Sequence, residues 1–358
     1  MKIAVLGSGN GGCAIAFDCA HHGYTVNLFD FESFPATIAE VQKHEGIYCE
    51  GQLQGFASVA YAGHDIEKAL NDVDLIYAVG PAYSTRPFAK ACKPHLKPNH
   101  MVIVCPSSCG GAIEFKKAAG LDLVSTEPLV AETSTLPYAV RICGPAKINV
   151  YLKLKGGLYL AALPASESQR AIRALNHVYP AMQMAKNVMQ TSLQNGNPVI
   201  HPTVTLLNTA LIERTGNKML FYEEGVTESV GRLMKAVDKE RIAIGNALGV
   251  DVLPDPELAI AQGYATEATY DRGYSEAPGF QGIKAQSSLN NRYFHEDVGY
   301  GLVFLRDLAR QVGIKTPVID SIIIIVSKVM DRDYLTEASR TMASLGLATM
   351  SVAELSKL

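Results

Sequence analysis

The sequence predicts a doubly wound α/β domain with a mixed sheet, followed by an all-α domain. Three observations carry this. A glycine-rich turn joins an apolar run to a small-residue helical pattern within the first sixteen residues. Strand-like and helix-like runs then alternate through the first half, as in a parallel sheet with helices on both faces. Beyond about Val188 the alternation of period two vanishes and only helical spacing remains. The expected division is residues 1–187 and 188–358.

Lys2 to Leu6 reads as the first strand. Gly7, Gly9 and Gly12 then fill the three glycine places of G-x-G-x-x-G, with Asn10 and Gly11 between the last two. Such a turn lets the chain bend tightly, admits a pyrophosphate to the backbone and packs the next helix close to the strand. The phosphates would meet free N–H groups at the positive end of that helix. Tyr24 to Phe29 reads as the second strand and Asp30 ends it. An acid about 20 residues beyond the motif is where a ribose hydroxyl is held. A carboxylate at Asp30 repels a 2′-phosphate, so the expected cofactor is NAD(H), in a Rossmann-type domain.

The composition is that of a globular chain. With Lys+Arg at 32 and Asp+Glu at 35, the net charge is −3, which gives no electrostatic case for nucleic acid or an anionic membrane. The seven cysteines are scattered without a C-x-x-C, which predicts reduced core thiols rather than a disulfide or zinc framework. His21-His22 has no acid or thiol at ligand spacing, so no metal is expected. The longest purely aliphatic run, Ile322 to Val326, is far short of the ~20 residues that cross a bilayer, and no signal peptide is read. The expected compartment is the cytoplasm.

Along the first half, Ala36 to His44 reads as a helix, Val59 to Tyr61 as a short strand, and Asp65 to Leu70 as a helix. Leu75 to Val79, Val102 to Cys105 and Leu129 to Ala131 read as buried strands. From Tyr138 the pattern changes: Ala139 to Cys143 and Ile148 to Leu154 form a hairpin about Gly144-Pro145, and Gly157 to Ala162 adds a strand. These predict an antiparallel extension of the sheet. Ala171 to Val178 closes this half as a helix. In the second half Thr203 to Arg214, Val226 to Ala247, Pro256 to Ala261, Tyr300 to Val312 and Pro317 to Met330 read as helices. The apolar last pair fits either a core or a homodimer interface.

Two polar clusters interrupt those helices. In Asn195 to Thr203, His201 precedes Pro202. If Pro202 is the first helical residue, His201 caps the helix; if the helix starts at Pro198, Pro202 kinks it beside His201. The second cluster is Leu289 to Val298, with Arg292, His295, Glu296 and Asp297. Arg292 and Asp297 lie about 140° apart on an ideal helix. Arginine grips a carboxylate with two parallel hydrogen bonds, and a His–carboxylate pair moves protons near neutral pH. Taken singly, each residue also fits a structural role.

The chain resembles the opine dehydrogenases, of the octopine and N-(1-carboxyethyl)-norvaline type. The resemblance rests on Lys2 to Gly12 with Asp30, Ala131 to Ser134, Thr191 to Leu193, His201 to Asn208, Asp238 to Ala243 and Arg292 to Val298. It implies an NAD-dependent oxidoreductase acting on CH–NH bonds. An amino acid and a 2-oxo acid condense, and the imine is reduced to a secondary amine. It implies that His201 is the acid–base residue, Asp297 its orienting carboxylate, and Arg292 the holder of the oxo-acid carboxylate. Glu132 would stand near the amino acid. Closure of the two domains would exclude water. The alternatives are a ketopantoate-type 2-oxo-acid reductase and a non-catalytic NAD-binding sensor or scaffold. The reductase often uses a lysine early in the second domain, and Gln194 to Arg214 contains none.

Overall fold

The computed structural model describes residues 1–358. Its first half is built on an eight-stranded sheet. The strands in chain order are β1 (Lys2–Leu6), β2 (Thr25–Phe29), β3 (Gly46–Gly51), β4 (Gly55–Ser58), β5 (Tyr61–Gly63), β6 (Leu75–Ala78), β7 (Met101–Val104), β8 (Leu129–Thr133), β9 (Tyr138–Gly144), β10 (Lys147–Lys153), β11 (Leu158–Leu163) and β12 (Met182–Met184). The main sheet runs β12-β11-β8-β7-β6-β1-β2-β5. Every neighbouring pair is parallel except β11 against β8. The strands are apolar on both faces, as a sheet covered on both sides requires. The order reverses about β1, so the carboxyl ends of β1, β6 and β7 open on one crevice.

The antiparallel extension is β11 together with β12, which runs parallel to it at the edge of the sheet. The β9–β10 hairpin leaves the main sheet and forms a second one, ordered β4-β3-β10-β9. There β10 pairs in parallel with β3, a strand close to a hundred residues earlier. The short strand expected at Val59 to Tyr61 is β5, displaced to Tyr61–Gly63.

Eight helices frame the cleft and the core: α1 (Asn10–His21), α2 (Gly111–Ala119), α3 (Val188–Leu193), α4 (Asn197–Leu207), α5 (Glu228–Leu248), α6 (Asp255–Gln262), α7 (Val303–Gln311) and α8 (Pro317–Val329). No named strand follows β12. The long α5 is capped at one end by the Thr227 side chain, which accepts from Val230 N–H, and ends on Gly249 with positive φ. Helix α8 buries Ile319, Ile322, Ile323 and Val326 and exposes Ile324 and Ile325, so most of its apolar content is core. One core of 65 residues runs from one face of the sheet into the helices; a second, of 39, fills the opposite face and the small sheet. The two halves of the chain therefore share a core. Six of the cysteines are buried as free thiols, and Cys143 is exposed. No helix is long and apolar enough to cross a membrane.

Candidate active site

A cleft of about 640 Å³ lies between the crevice and the helices. Its sheet-side wall is the turn Gly9 to Gly12, Val79 to Pro81 after β6, Pro106 after β7, and Ala139 to Arg141 on β9. Its helical wall brings Asn197, Ile200 and His201 from α4, Asp255, Leu258 and Ala259 from α6, and Arg292, Tyr293 and Glu296.

The glycine turn fits a dinucleotide. A Cβ on Gly12 would stand 1.8 Å from the Gly7 carbonyl oxygen, and one on Gly7, where φ is +109°, would stand 2.0 Å from that of Val79. The first is tight because α1 packs onto the end of β1, the second because the chain leaving β6 runs against the turn. Gly9 meets nothing within 4 Å, which leaves its face open to the cleft. Cys13 is the first residue of α1 whose N–H reaches a carbonyl, that of Gly9 at 3.0 Å; the earlier N–H groups of α1 lack intrahelical acceptors. Asn10 holds β9 in place, accepting from Ile142 N–H at 2.8 Å. Asp30 sits at the end of β2 as expected, and its carboxylate also braces the turn. It accepts from Ser8 N–H and Oγ at 2.6 and 2.7 Å and from Phe31 N–H at 2.8 Å.

His201 lies inside α4 rather than at its cap. The helix begins at Asn197, with Pro198 in its first turn and Pro202 in its interior. Pro202 has no N–H to offer the Pro198 carbonyl, so the ladder is broken beside the imidazole. Nδ1 of His201 stands 2.8 Å from Asp297 Oδ2; both side chains are almost fully buried. With Nδ1 committed to the carboxylate, Nε2 has no protein partner and is left to the cleft. The Tyr293 ring stacks on the imidazole, centroids 3.9 Å apart at 17°.

Asp297 opens a π-helical turn, Asp297–Leu302, after a short helix, Arg292–His295. The near-140° offset therefore separates their tasks. Asp297 reaches behind His201, whereas Arg292 faces the cleft with 43% of its side chain exposed. The Arg292 guanidinium lies 5.3 Å from the Tyr293 ring centroid. The structure thus brings His201, Asp297 and Arg292 together. His295 points elsewhere, toward Tyr334 and Asn290.

Glu132 is not at the cleft. It is sealed between β8, α2 and α3, accepting from Ala112 N–H at 2.7 Å and from the Thr191 and Ser192 hydroxyls. Burial pushes its carboxyl above the usual carboxylate range, although Ala112 and Thr191 stabilise the ionised form. Its position ties strand to helix and leaves no oxygen facing a substrate.

Glu296 had no role assigned by the sequence and is a hub. Oε1 accepts from Ala82 N–H and Ser108 Oγ, both at 2.9 Å, and Oε2 from Arg292 at 3.2 Å. It thereby fixes Arg292 against the loops after β6 and β7. Arg340 grips the same loops from the far end of the chain. It donates to the carbonyls of Ser107, Ser108 and Cys109 at 2.8 Å and of Ala82 at 2.9 Å, and it pairs with Glu114. Such pairings join residues 188 to 258 positions apart, and no local pattern could announce them. Asp238 binds Arg241 at 2.6 Å and Tyr270, while Asp255 of the helical wall takes the hydroxyl of Tyr274. The Tyr222, Phe280 and Tyr264 rings stack along the helical wall.

Comparison with known proteins agrees with this geometry. Residues 184–330 match the family described as NAD/NADP octopine/nopaline dehydrogenase, alpha-helical domain, and residues 2–110 match the NAD-dependent glycerol-3-phosphate dehydrogenase N-terminus. An opine dehydrogenase of Arthrobacter sp. (strain 1C) is 36% identical over 98% of this chain and 96% of its own. The Protein ocs of Agrobacterium tumefaciens (strain Ach5) is 26% identical over 97% and 95%. A structure of octopine dehydrogenase in complex with NADH and agmatine superposes with a TM-score of 0.79, at 17% identity, over 100% of this chain and 98% of that one. The chain belongs to the opine dehydrogenase family, NAD-dependent oxidoreductases.

Proposed function

We propose that His201 and Asp297 are the acid–base pair of a reductive condensation and that Arg292 holds the carboxylate of a pyruvate-like 2-oxo acid. The amino group of an amino acid adds to the oxo carbon, water leaves, and the C=N bond is reduced to a secondary amine. The sum is amino acid, 2-oxo acid, NADH and one proton giving the N-(carboxyalkyl) amino acid, NAD⁺ and water. Bound NADH supplies the hydride. The protein's own residues orient the partners and handle the protons.

The observation that carries this reading is the 2.8 Å contact between His201 and Asp297 on the wall of a cleft that opens on the glycine turn. Nε2 delivers a proton to the departing hydroxyl and takes one from the attacking amine. Asp297 fixes the tautomer and steadies the imidazolium. Tyr293 covers one face of the ring and keeps it from rotating. The Asp30 charge favours NADH over NADPH. For the amino-acid side chain the cleft offers the aromatic stack, Leu258 and Ile283. Its two acids, Asp255 and Glu296, already hold protein donors, which disfavours a cationic side chain. The cytoplasm remains the compartment we assign.

The test is an NADH-oxidation screen of 2-oxo acids crossed with the proteinogenic amino acids, repeated with NADPH. Turnover is expected only when both substrates are present, faster with NADH, and better with apolar amino acids than with arginine. Turnover with an oxo acid alone would identify a simple reductase. Tight NADH binding with no turnover at all would identify a sensor or scaffold.

A further inference from the structure

The condensation joins two molecules that each carry a carboxylate, and Arg292 accounts for one. The cleft walls hold two further cations, Arg141 and Lys284, and neither forms an ion pair within the protein. Arg141 lies on β9, on the wall opposite the helices. The one hydrogen bond its side chain makes within the protein is to the carbonyl of Val140, its own neighbour, at 2.9 Å. The strand is held in register by the bond from Ile142 N–H to Asn10, at the mouth of the glycine turn. Arg141 lines the cleft with Ala139 and Val140, whereas the next residue, Ile142, lines a separate hollow with Thr37 and Glu40.

Arg141 shares one cleft with His201, Arg292, Tyr264 and Tyr293. Burial pushes the Tyr264 phenol up to about 12, and Arg141 is close enough to oppose that rise. Burial likewise raises Tyr293, opposed by Arg292 first and by Arg141 after it. Tyr293 is the ring stacked on His201. Arg292 lies over the ring that stacks on the imidazole, and Arg141 enters the same cleft from the opposite wall. In the product, two carboxylates flank one secondary amine, each one carbon from the nitrogen. Two cations, one on each wall of the cleft, thus stand available for the two carboxylates of that product.

We propose that Arg141 holds the α-carboxylate of the amino-acid substrate, so that the enzyme requires an amino acid and discriminates against the corresponding amine. This rests on the reading of the cleft as a condensation site. A planar, permanently charged fork suits a carboxylate that must be presented in one orientation while its neighbouring nitrogen attacks. The amine then approaches from the β9 wall, and the oxo acid stays on the helical wall with Arg292.

The experiment compares wild type, Arg141→Ala and Arg141→Lys with pyruvate, NADH and the best amino acid from the screen. Beside it is run the amine left by decarboxylation of that amino acid: 2-phenylethylamine for phenylalanine, 3-methylbutylamine for leucine. NADH binding is measured separately by fluorescence titration. Arg141→Ala is expected to raise KM for the amino acid roughly 10- to 100-fold, the range of a lost hydrogen-bonded charge. KM for pyruvate and Kd for NADH should stay within about twofold on the same basis. Kinetic efficiency with amino acid and amine should converge, and Arg141→Lys should recover part of the preference. Weaker NADH binding with the preference for amino acid intact would place Arg141 on a cofactor phosphate and overturn the proposal. An unchanged preference with unchanged NADH binding would overturn it as well. Absence of condensation in the wild type would instead overturn the reading of the cleft, and this proposal with it.

Discussion

Arg292 shows how a single side chain gains its role from its neighbours. Half open to the cleft, it is held by Glu296, which itself is bound to two loops of the sheet. A bound oxo-acid carboxylate would close its pair with Arg292 off from water, and removing one partner of such a pair costs about 3–5 kcal/mol. Arg292→Ala is therefore expected to lower kcat/KM for the oxo acid several hundredfold or more, to be read in steady-state kinetics with the amino acid saturating. NADH affinity should barely change; a large loss there would put the guanidinium on the cofactor instead. Asp255 provides the clearest effect of pH on stability. Burial first, and then the neighbouring Asp238 charge, push its carboxyl from 3.8 up to about 6. The folded state thus binds the proton more tightly than the unfolded chain. The stabilisation is complete below about pH 4 and is lost as pH rises through 6. Thermal melts of Asp255→Asn should lose this part of the pH dependence. The variant should gain on the wild type between pH 5 and pH 7.5, and parallel melting curves across that range would contradict the assignment.

At the scale of elements, the dyad depends on two irregular helices meeting. Helix α4 is interrupted at Pro202, and the chain facing it widens into the π-helical turn Asp297–Leu302. They approach closely at Gly301, where a Cβ would stand 2.6 Å from Pro198 Cγ. Gly301→Ala must push the turn away from α4, and with it Asp297 from His201. The expected result is a fall in kcat of at least about tenfold, since a misplaced proton-transfer pair loses much of its advantage. NADH binding should be nearly unaffected. Full activity in Gly301→Ala would mean that the dyad tolerates the shift. The same elements show what is legible in the sequence. A proline beside a histidine announces an irregular helix, and the glycine turn with its flanking strand and helix announces the nucleotide fold. The π-turn is not announced, because it follows from packing between segments far apart in the chain. Nor is the second sheet. Strand β3 is short and glycine-flanked, and its partner β10 lies far along the chain, so local alternation could not distinguish it from a loop. Glu132 misleads for a related reason. Its position just after an apolar strand suggests an acid at a sheet's active edge, but the donors that bury it come from α2 and α3.

At the scale of the molecule, the two halves are bonded along one seam. The 65-residue core crosses it, and Glu296 and Arg340 both hold the loops after β6 and β7. Closure of the two domains about the cleft, as the resemblance implies, would have to pivot on that bonded edge. What that edge fixes is the relation between the glycine turn on one wall and the His201–Asp297 pair on the other. Catalysis here rests on that pair working as one unit, so the most direct test is a double-mutant cycle. Turnover of oxo acid and amino acid with NADH is measured across pH for wild type, His201→Ala, Asp297→Asn and the double variant. General acid–base catalysis contributes roughly 100- to 10,000-fold, and each single variant should lose about that much. The double variant should be little worse than either single, because a second loss removes nothing from a pair already disabled. The rate should show an ionisation that disappears in His201→Ala, with NADH binding retained throughout. Losses that multiply in the double variant, or a His201→Ala enzyme that turns over at the wild-type rate, would contradict the dyad.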